Sequence, residues 1–116
     1  DLDNLYDKDN EDENVLVFPG NHDCNTIYGW YKTLSDEHKW KLKEFLKKNE
    51  CYEININIGI MQYLSKCKAR IPIIMVQDIL GLDENSRINI PGIESNKNWS
   101  WKLIDFKDFE ERIKDY

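Results

Sequence analysis

Four groups of residues in this chain of 116 carry side chains suited to chemistry. The first is Asn21-His22-Asp23, which follows the apolar run Val15 to Phe18 and the breaker Pro19-Gly20. It sets a donor ring and a carboxylate acceptor side by side; the plainer alternative is a capped turn in which Asp23 starts the next helix. The second is the pair Gln77-Asp78, between the apolar run Ile71 to Val76 and the stop at Gly81. The third is the loop Arg87-x-Asn89-x-Pro91-Gly92, and the fourth is Trp99 and Trp101 in the string NWSWK. Large aromatics two apart either offer a flat face to a ligand or lock the final loop by packing, and the packing role is the commoner one. Metal and thiol chemistry are poorly served. Cys24, Cys51 and Cys67 are odd in number with no Cys-x-x-Cys pair, and the only histidines are His22 and His38.

The elements that must position these groups can be read from periodicity. Residues 1–14 are rich in Asp, Asn and Glu and read as a loop, with Leu5-Tyr6 as its anchor. Val15 to Phe18 and Ile71 to Val76 are short continuous apolar runs, the pattern of strands buried on both faces. About fifty residues separate them, too many for a hairpin and enough for a crossover carrying helices. A first helix starts at the N-cap Ser35, with Asp36 and Glu37 in its first turn, Lys47 and Lys48 near its end, and Leu42, Phe45 and Leu46 as its apolar stripe. The next segment is ambiguous. Ile54, Ile56, Ile58 and Ile60 alternate as in a strand, while Ile56, Ile60, Leu64 and Cys67 fall at helical spacing. Ser86 to Asn96 is too rich in Gly, Pro, Asn and Ser for regular structure, and Phe106 to Lys114 reads as an amphipathic helix through Phe106, Phe109 and Ile113. The order is loop, strand, helix, helix, strand, loop, helix, which makes two consecutive βα units of an α/β protein.

Composition narrows the class. At 41% hydrophobic and 33% charged the chain has the make-up of one small soluble domain, and no apolar run approaches the ~20 residues of a membrane span. Net charge is −6, with acidic residues crowding the first thirteen positions, so the surface repels nucleic acid phosphates. Unpaired cysteines fit a reducing cytoplasm, with Cys51 and Cys67 as packing residues. The chain opens at Asp1 with no starting methionine and no secretory pattern, which reads as a cut from something longer.

Two stretches, FPGNHDCNTIYGWY (Phe18 to Tyr31) and VQDILGLDENSRINIPG followed by NWSWK (Val76 to Lys102), resemble the C-terminal end of the 4-α-glucanotransferases, the amylomaltase or disproportionating enzymes of glycoside hydrolase family 77. The resemblance runs from Asp3 to about Leu103 and tips the ambiguous segment to a helix from about Ile54 to Lys68. It implies the last two βα units of a (β/α)8 TIM barrel, and a whole barrel needs ~250 residues. The rest of that barrel is then the chain's first partner, and an α-1,4-glucan such as maltodextrin or starch is its substrate. By resemblance Asp23 is the family's third catalytic carboxylate, beside the nucleophile and acid/base of a retaining double displacement, both of which lie upstream of this chain. His22 is the neighbouring sugar-binding histidine, Asn21 a further sugar contact, and Asn89 a candidate contact near the groove where the acceptor sugar arrives. No metal or organic cofactor is implied. Where the family commonly has Thr, Asn and Asp, positions 21, 24 and 25 are Asn, Cys and Asn; Asn21 still hydrogen-bonds, whereas Cys24 is a much weaker polar group. Gln77, Asp78 and Arg87 read as a rim position whose plainest role is a buried polar network closing the barrel.

Two rivals stand beside this reading. Gly20-Asn21-His22-Asp23 also resembles the Gly-Asn-His-Asp string of the calcineurin-like metallophosphoesterases, but that family needs further Asp and His ligands for two metals, and only His38 remains. The other is a non-catalytic polypeptide that binds glucan or complements a separate N-terminal piece. The sequence of this segment fits either an enzyme or that binding role.

Overall fold

The computed structural model describes residues 16–51, 54–66 and 71–114. The expected loop over residues 1–14, and Val15 and Cys67, lie outside the described residues. Strand β1 (Leu16–Val17) pairs in parallel with β2 (Ile71–Pro72), Leu16 opposite Ile71. Between them come helices α1 (Ile27–Thr33), α2 (Asp36–Lys48) and α3 (Ile56–Ser65); after β2 come α4 (Val76–Ile79), a 3₁₀ turn (Glu84–Ser86) and α5 (Phe106–Ile113). The parallel pairing across a helical crossover is what consecutive βα units require.

Helix α2 begins and ends where its residue types dictate. Ser35 accepts from the His38 N–H at 3.2 Å, and Asp36, Glu37, Lys47 and Lys48 complement the dipole. Its end closes with Glu50 at φ +58°, the Cys51 N–H reaching Leu46 O at 2.8 Å and the Glu50 N–H reaching Lys47 O at 3.0 Å. This is a Schellman motif with glutamate in the position glycine usually takes, and Cys51 and Leu46 make its apolar contact in the core.

Helix α3 resolves the ambiguous segment. Ile56, Asn57, Gly59, Ile60, Met61, Tyr63 and Leu64 are all buried, so the helix is wrapped by neighbours on most sides, while Ile54 stays outside it and exposed. With Ile27 from α1 and Leu42, Leu46 and Cys51 from α2, these residues form the core. Trp30 and Tyr31 pack against it, and the Phe45 and Tyr63 rings meet edge-on at 5.0 Å. Each fully buried leucine contributes about 1.5–3 kcal/mol through removal from water.

Three expectations change. Ile27–Thr33 is a helix that the coarse element order omitted; its N-cap is Thr26, which is buried and accepts from the Gly29 N–H at 3.0 Å. Gly29 is required there, because a Cβ would collide with Asn25 Oδ1 and lie 2.8 Å from the Glu84 backbone N, where the 3₁₀ turn crosses α1. The second strand stops at Pro72, which lacks a ladder donor, and Val76 opens α4 instead of ending a strand. Gln77 and Asp78 therefore lie inside a helical turn, not at a strand end. The α5 stripe forms, but Phe106 and Ile113 face outward and their side chains remain exposed.

Candidate functional site

Helix α4 is short, yet it knits the helices together through buried polar groups. Asp78 Oδ1 accepts from the Ile27 N–H at 2.8 Å, capping the start of α1, and Asp78 O accepts from Asn57 Nδ2 of α3 at 2.9 Å. Gln77 Nε2 donates to Ser86 O at 3.2 Å. Burial pushes the Asp78 carboxyl above its ordinary range, and the Ile27 hydrogen bond opposes that shift without cancelling it. Gln77 and Asp78 thus form the expected structural network. Arg87 does not join it.

Arg87 instead belongs to the turn after β1. There Asn21 Oδ1 accepts from the Asp23 N–H at 2.9 Å, and the Cys24 N–H donates to Asn21 O at 3.0 Å, so the loop folds on its own asparagine. From the other loop, Arg87 Nη2 donates to Asp23 O at 3.2 Å, and the Asn89 N–H donates to His22 O at 3.1 Å. Asn89 Nδ2 donates to Asp23 Oδ1 at 2.9 Å, and His22 Nε2 lies 3.2 Å from Asp23 Oδ2. Both carboxylate oxygens are oriented by the protein, and each keeps a further lone pair for a ligand donor. The His22 and Asp23 side chains remain about half exposed.

The second loop is shaped by its own residues. Pro91-Gly92 makes a turn closed by the Ile93 N–H to Ile90 O at 3.3 Å, with Gly92 at φ +78°, the conformation a type II turn demands. Asn98 accepts from the Ile90 N–H at 3.2 Å and donates to Ile93 O at 2.7 Å, tying the turn to the tryptophan segment. Trp99 then folds back, its N–H to Ile88 O at 2.6 Å, and its ring lies 5.0 Å from that of His22.

Of the residues singled out from sequence, His22, Asp23 and Asn89 therefore meet. Asn21 lies in the same turn with its Oδ1 directed inward to hold it. Arg87 and Trp99 belong to the same cluster, which spacing alone did not reveal. Trp101 is half-buried, and His38 is exposed on α2. Cys24 is an exposed free thiol and Cys51 a buried one. Among the described residues no three His, Cys, Asp or Glu side chains gather as a metal-binding group.

Comparisons with known proteins agree on one family. A family model for 4-alpha-glucanotransferase matches residues 1–106. The chain is 37% identical over 110 residues to the chloroplastic/amyloplastic 4-alpha-glucanotransferase of Solanum tuberosum, covering 95% of this chain and 19% of that protein. It is 32% identical over 117 residues to the 4-alpha-glucanotransferase of Aquifex aeolicus, covering 95% of this chain and 24% of that one. In structure it is similar to amylomaltase from Streptococcus agalactiae in complex with acarbose, with a TM-score of 0.80 and 26% identity over 93% of this chain and 21% of that chain. The chain spans about a fifth of the length of these relatives.

Proposed function

The chain belongs to the 4-alpha-glucanotransferase family, and from that premise we propose that it is the C-terminal part of a longer enzyme. In this reading the two βα units are the last two of a (β/α)8 barrel. The exposed Ile71 and Ile73 fit this, since a parallel sheet of two strands needs further strands and helices to cover it. The parent enzyme cleaves an α-1,4 link in maltodextrin or starch, holds the glucan covalently, and passes it to the 4-hydroxyl of another sugar. Its nucleophile and acid/base lie outside this chain. That two-carboxylate chemistry requires neither a metal nor an organic cofactor.

The observation that carries the proposal is the double hold on Asp23, by Asn89 at 2.9 Å and His22 at 3.2 Å, at a half-exposed position beyond the C-terminal end of β1. Barrel enzymes assemble their sites at that end of the strands. A fixed carboxylate there accepts hydrogen bonds from sugar hydroxyls, and these strengthen as positive charge develops on the ring in the oxocarbenium-like transition state. Because the protein orients the carboxylate beforehand, no reorganisation is needed when that charge appears. His22 offers its other ring nitrogen to a neighbouring hydroxyl. The buried reduced Cys51 fits a reducing compartment, for which we propose the cytoplasm.

Maltotriose disproportionation by the full-length parent and its Asp23→Ala variant tests this. The expected loss is about 10²–10³-fold in kcat, the scale of removing one preorganised electrostatic group. Unchanged activity defeats the role of Asp23. An inactive parent favours a glucan-binding polypeptide without catalysis.

A further inference from the structure

Trp99 combines three properties that packing within this chain does not explain. Its φ is +60°, the left-handed region that a bulky L-residue rarely occupies. Within this chain the residue is 65% exposed, although tryptophan has among the most to gain from burial. Its ring also lies against His22, with centroids 5.0 Å apart and planes tilted by 37°. The backbone is fixed in this conformation by the 2.6 Å bond to Ile88 O and by the braces that Asn98 makes to the preceding turn. Strained backbone carrying an exposed aromatic beside a polar cluster is the arrangement found where a chain holds a side chain for a ligand.

We propose that Trp99 is a substrate-binding residue whose open face stacks against a glucosyl unit, the one adjacent to the unit held at His22 and Asp23. This rests on the glucan-transfer reading above. A pyranose ring has an apolar face and a rim of hydroxyls, so its binding site needs a flat aromatic surface next to a few placed polar groups. Trp99 supplies the surface; His22, Asp23 and Asn89 supply the groups. One side of the indole is turned to His22, which leaves the other to a sugar one step along the chain from the reacting ring. A contact that far from the developing charge acts alike on ground state and transition state. It therefore appears in KM, whereas Asp23 acts on kcat.

Trp99→Gly and Trp99→Phe in the parent enzyme separate this role from a structural one. Glycine adopts φ +60° without strain, so Trp99→Gly removes the ring and relaxes the backbone in one step. KM for maltotriose, and Kd for acarbose by isothermal titration, are each expected to rise about tenfold, the equivalent of one contact of ~1.4 kcal/mol. The thermal midpoint holds or rises, kcat falls less than about threefold, and Trp99→Phe recovers most of the affinity. Unchanged KM and Kd in an active Trp99→Gly enzyme overturn the proposal while leaving the transferase reading intact. A lowered thermal midpoint in Trp99→Gly, with kcat and KM shifting together, also overturns it, because that marks the ring as a lock on its loop. A parent that neither transfers glucan nor binds acarbose overturns both.

Discussion

The helical layer and the loop cluster beyond β1 are held together by opposite means. In α1 to α3, Leu42 and Leu46 are 1% exposed and Cys51 fully buried, so the layer stands on apolar area removed from water, a force without direction. In the loop cluster His22 and Asp23 are about half exposed while Arg87 and Asn89 are partly buried, and their positions come from single directional bonds such as Asn89 to Asp23, 66 residues apart in sequence. Stability and geometry are thus placed in different parts of the chain. The helical layer tolerates any tight apolar filling, while the loops depend on particular donors.

The largest effect expected from this division lies in the helical layer. Leu42→Ala in the parent enzyme removes a side chain with 1% exposure and leaves a cavity, at a cost of about 2–5 kcal/mol read from the urea midpoint. Below the unfolding transition, kcat and KM hold within about twofold, since no loop contact rests on Leu42. Catalysis lost with stability retained breaks the comparison.

Asn89 gives the converse test. Asn89→Ala removes the donor to Asp23 Oδ1 from a surface loop, so the urea midpoint moves little while kcat falls about tenfold through a loosened carboxylate. Asn89→Asp sharpens the point, because a second carboxylate beside Asp23 repels it and favours protonation of one of the two. Its pH profile is expected to shift upward relative to the parent. Equal activity in Asn89→Ala moves Asn89 out of the positioning role and back to a plain loop residue.

How much of this was legible in sequence follows the same division. Helix α2 was fully written in Ser35, its flanking charges and the Leu42-Phe45-Leu46 stripe, because caps and periodicity are local signals. The adjacency of His22 and Asp23, and the Pro91-Gly92 turn, were also local. Helix α1 was obscured by Gly29 and three aromatics, although Thr26 marked its start three residues before Gly29. The run Ile71 to Val76 read as one strand because apolarity cannot distinguish a strand from the opening of a helical turn, and only Pro72 hinted at the break. The grip of Arg87 on Asp23 and the approach of Trp99 to His22 had no local signature. They join segments more than sixty residues apart, and hydrogen-bond geometry across that distance is set by the fold.

The smallest effect concerns Asp78, where the two regimes meet: a directional bond set inside the apolar layer. Burial raises its carboxyl above the ordinary range despite the hydrogen bond from Ile27. A carboxyl whose folded value exceeds its unfolded one binds more protons when folded, so its contribution to stability falls as pH rises from about 4 through the raised value. Asparagine keeps an Oδ1 acceptor for the Ile27 N–H and cannot ionise. Asp78→Asn in the parent enzyme is therefore expected to equal the native protein near pH 4 and to exceed it slightly at pH 7, with thermal midpoints taken across that span. Glucan transfer is unchanged at both ends, as Asp78 faces α1 and α3 and makes no contact with Asp23. An Asp78→Asn midpoint below that of the native protein at pH 7, by an amount that shrinks toward pH 4, reverses the assignment. It shows that the ionised carboxylate holds the start of α1, and that charge-assisted bonding, the mode of the loop cluster, extends into the helical layer.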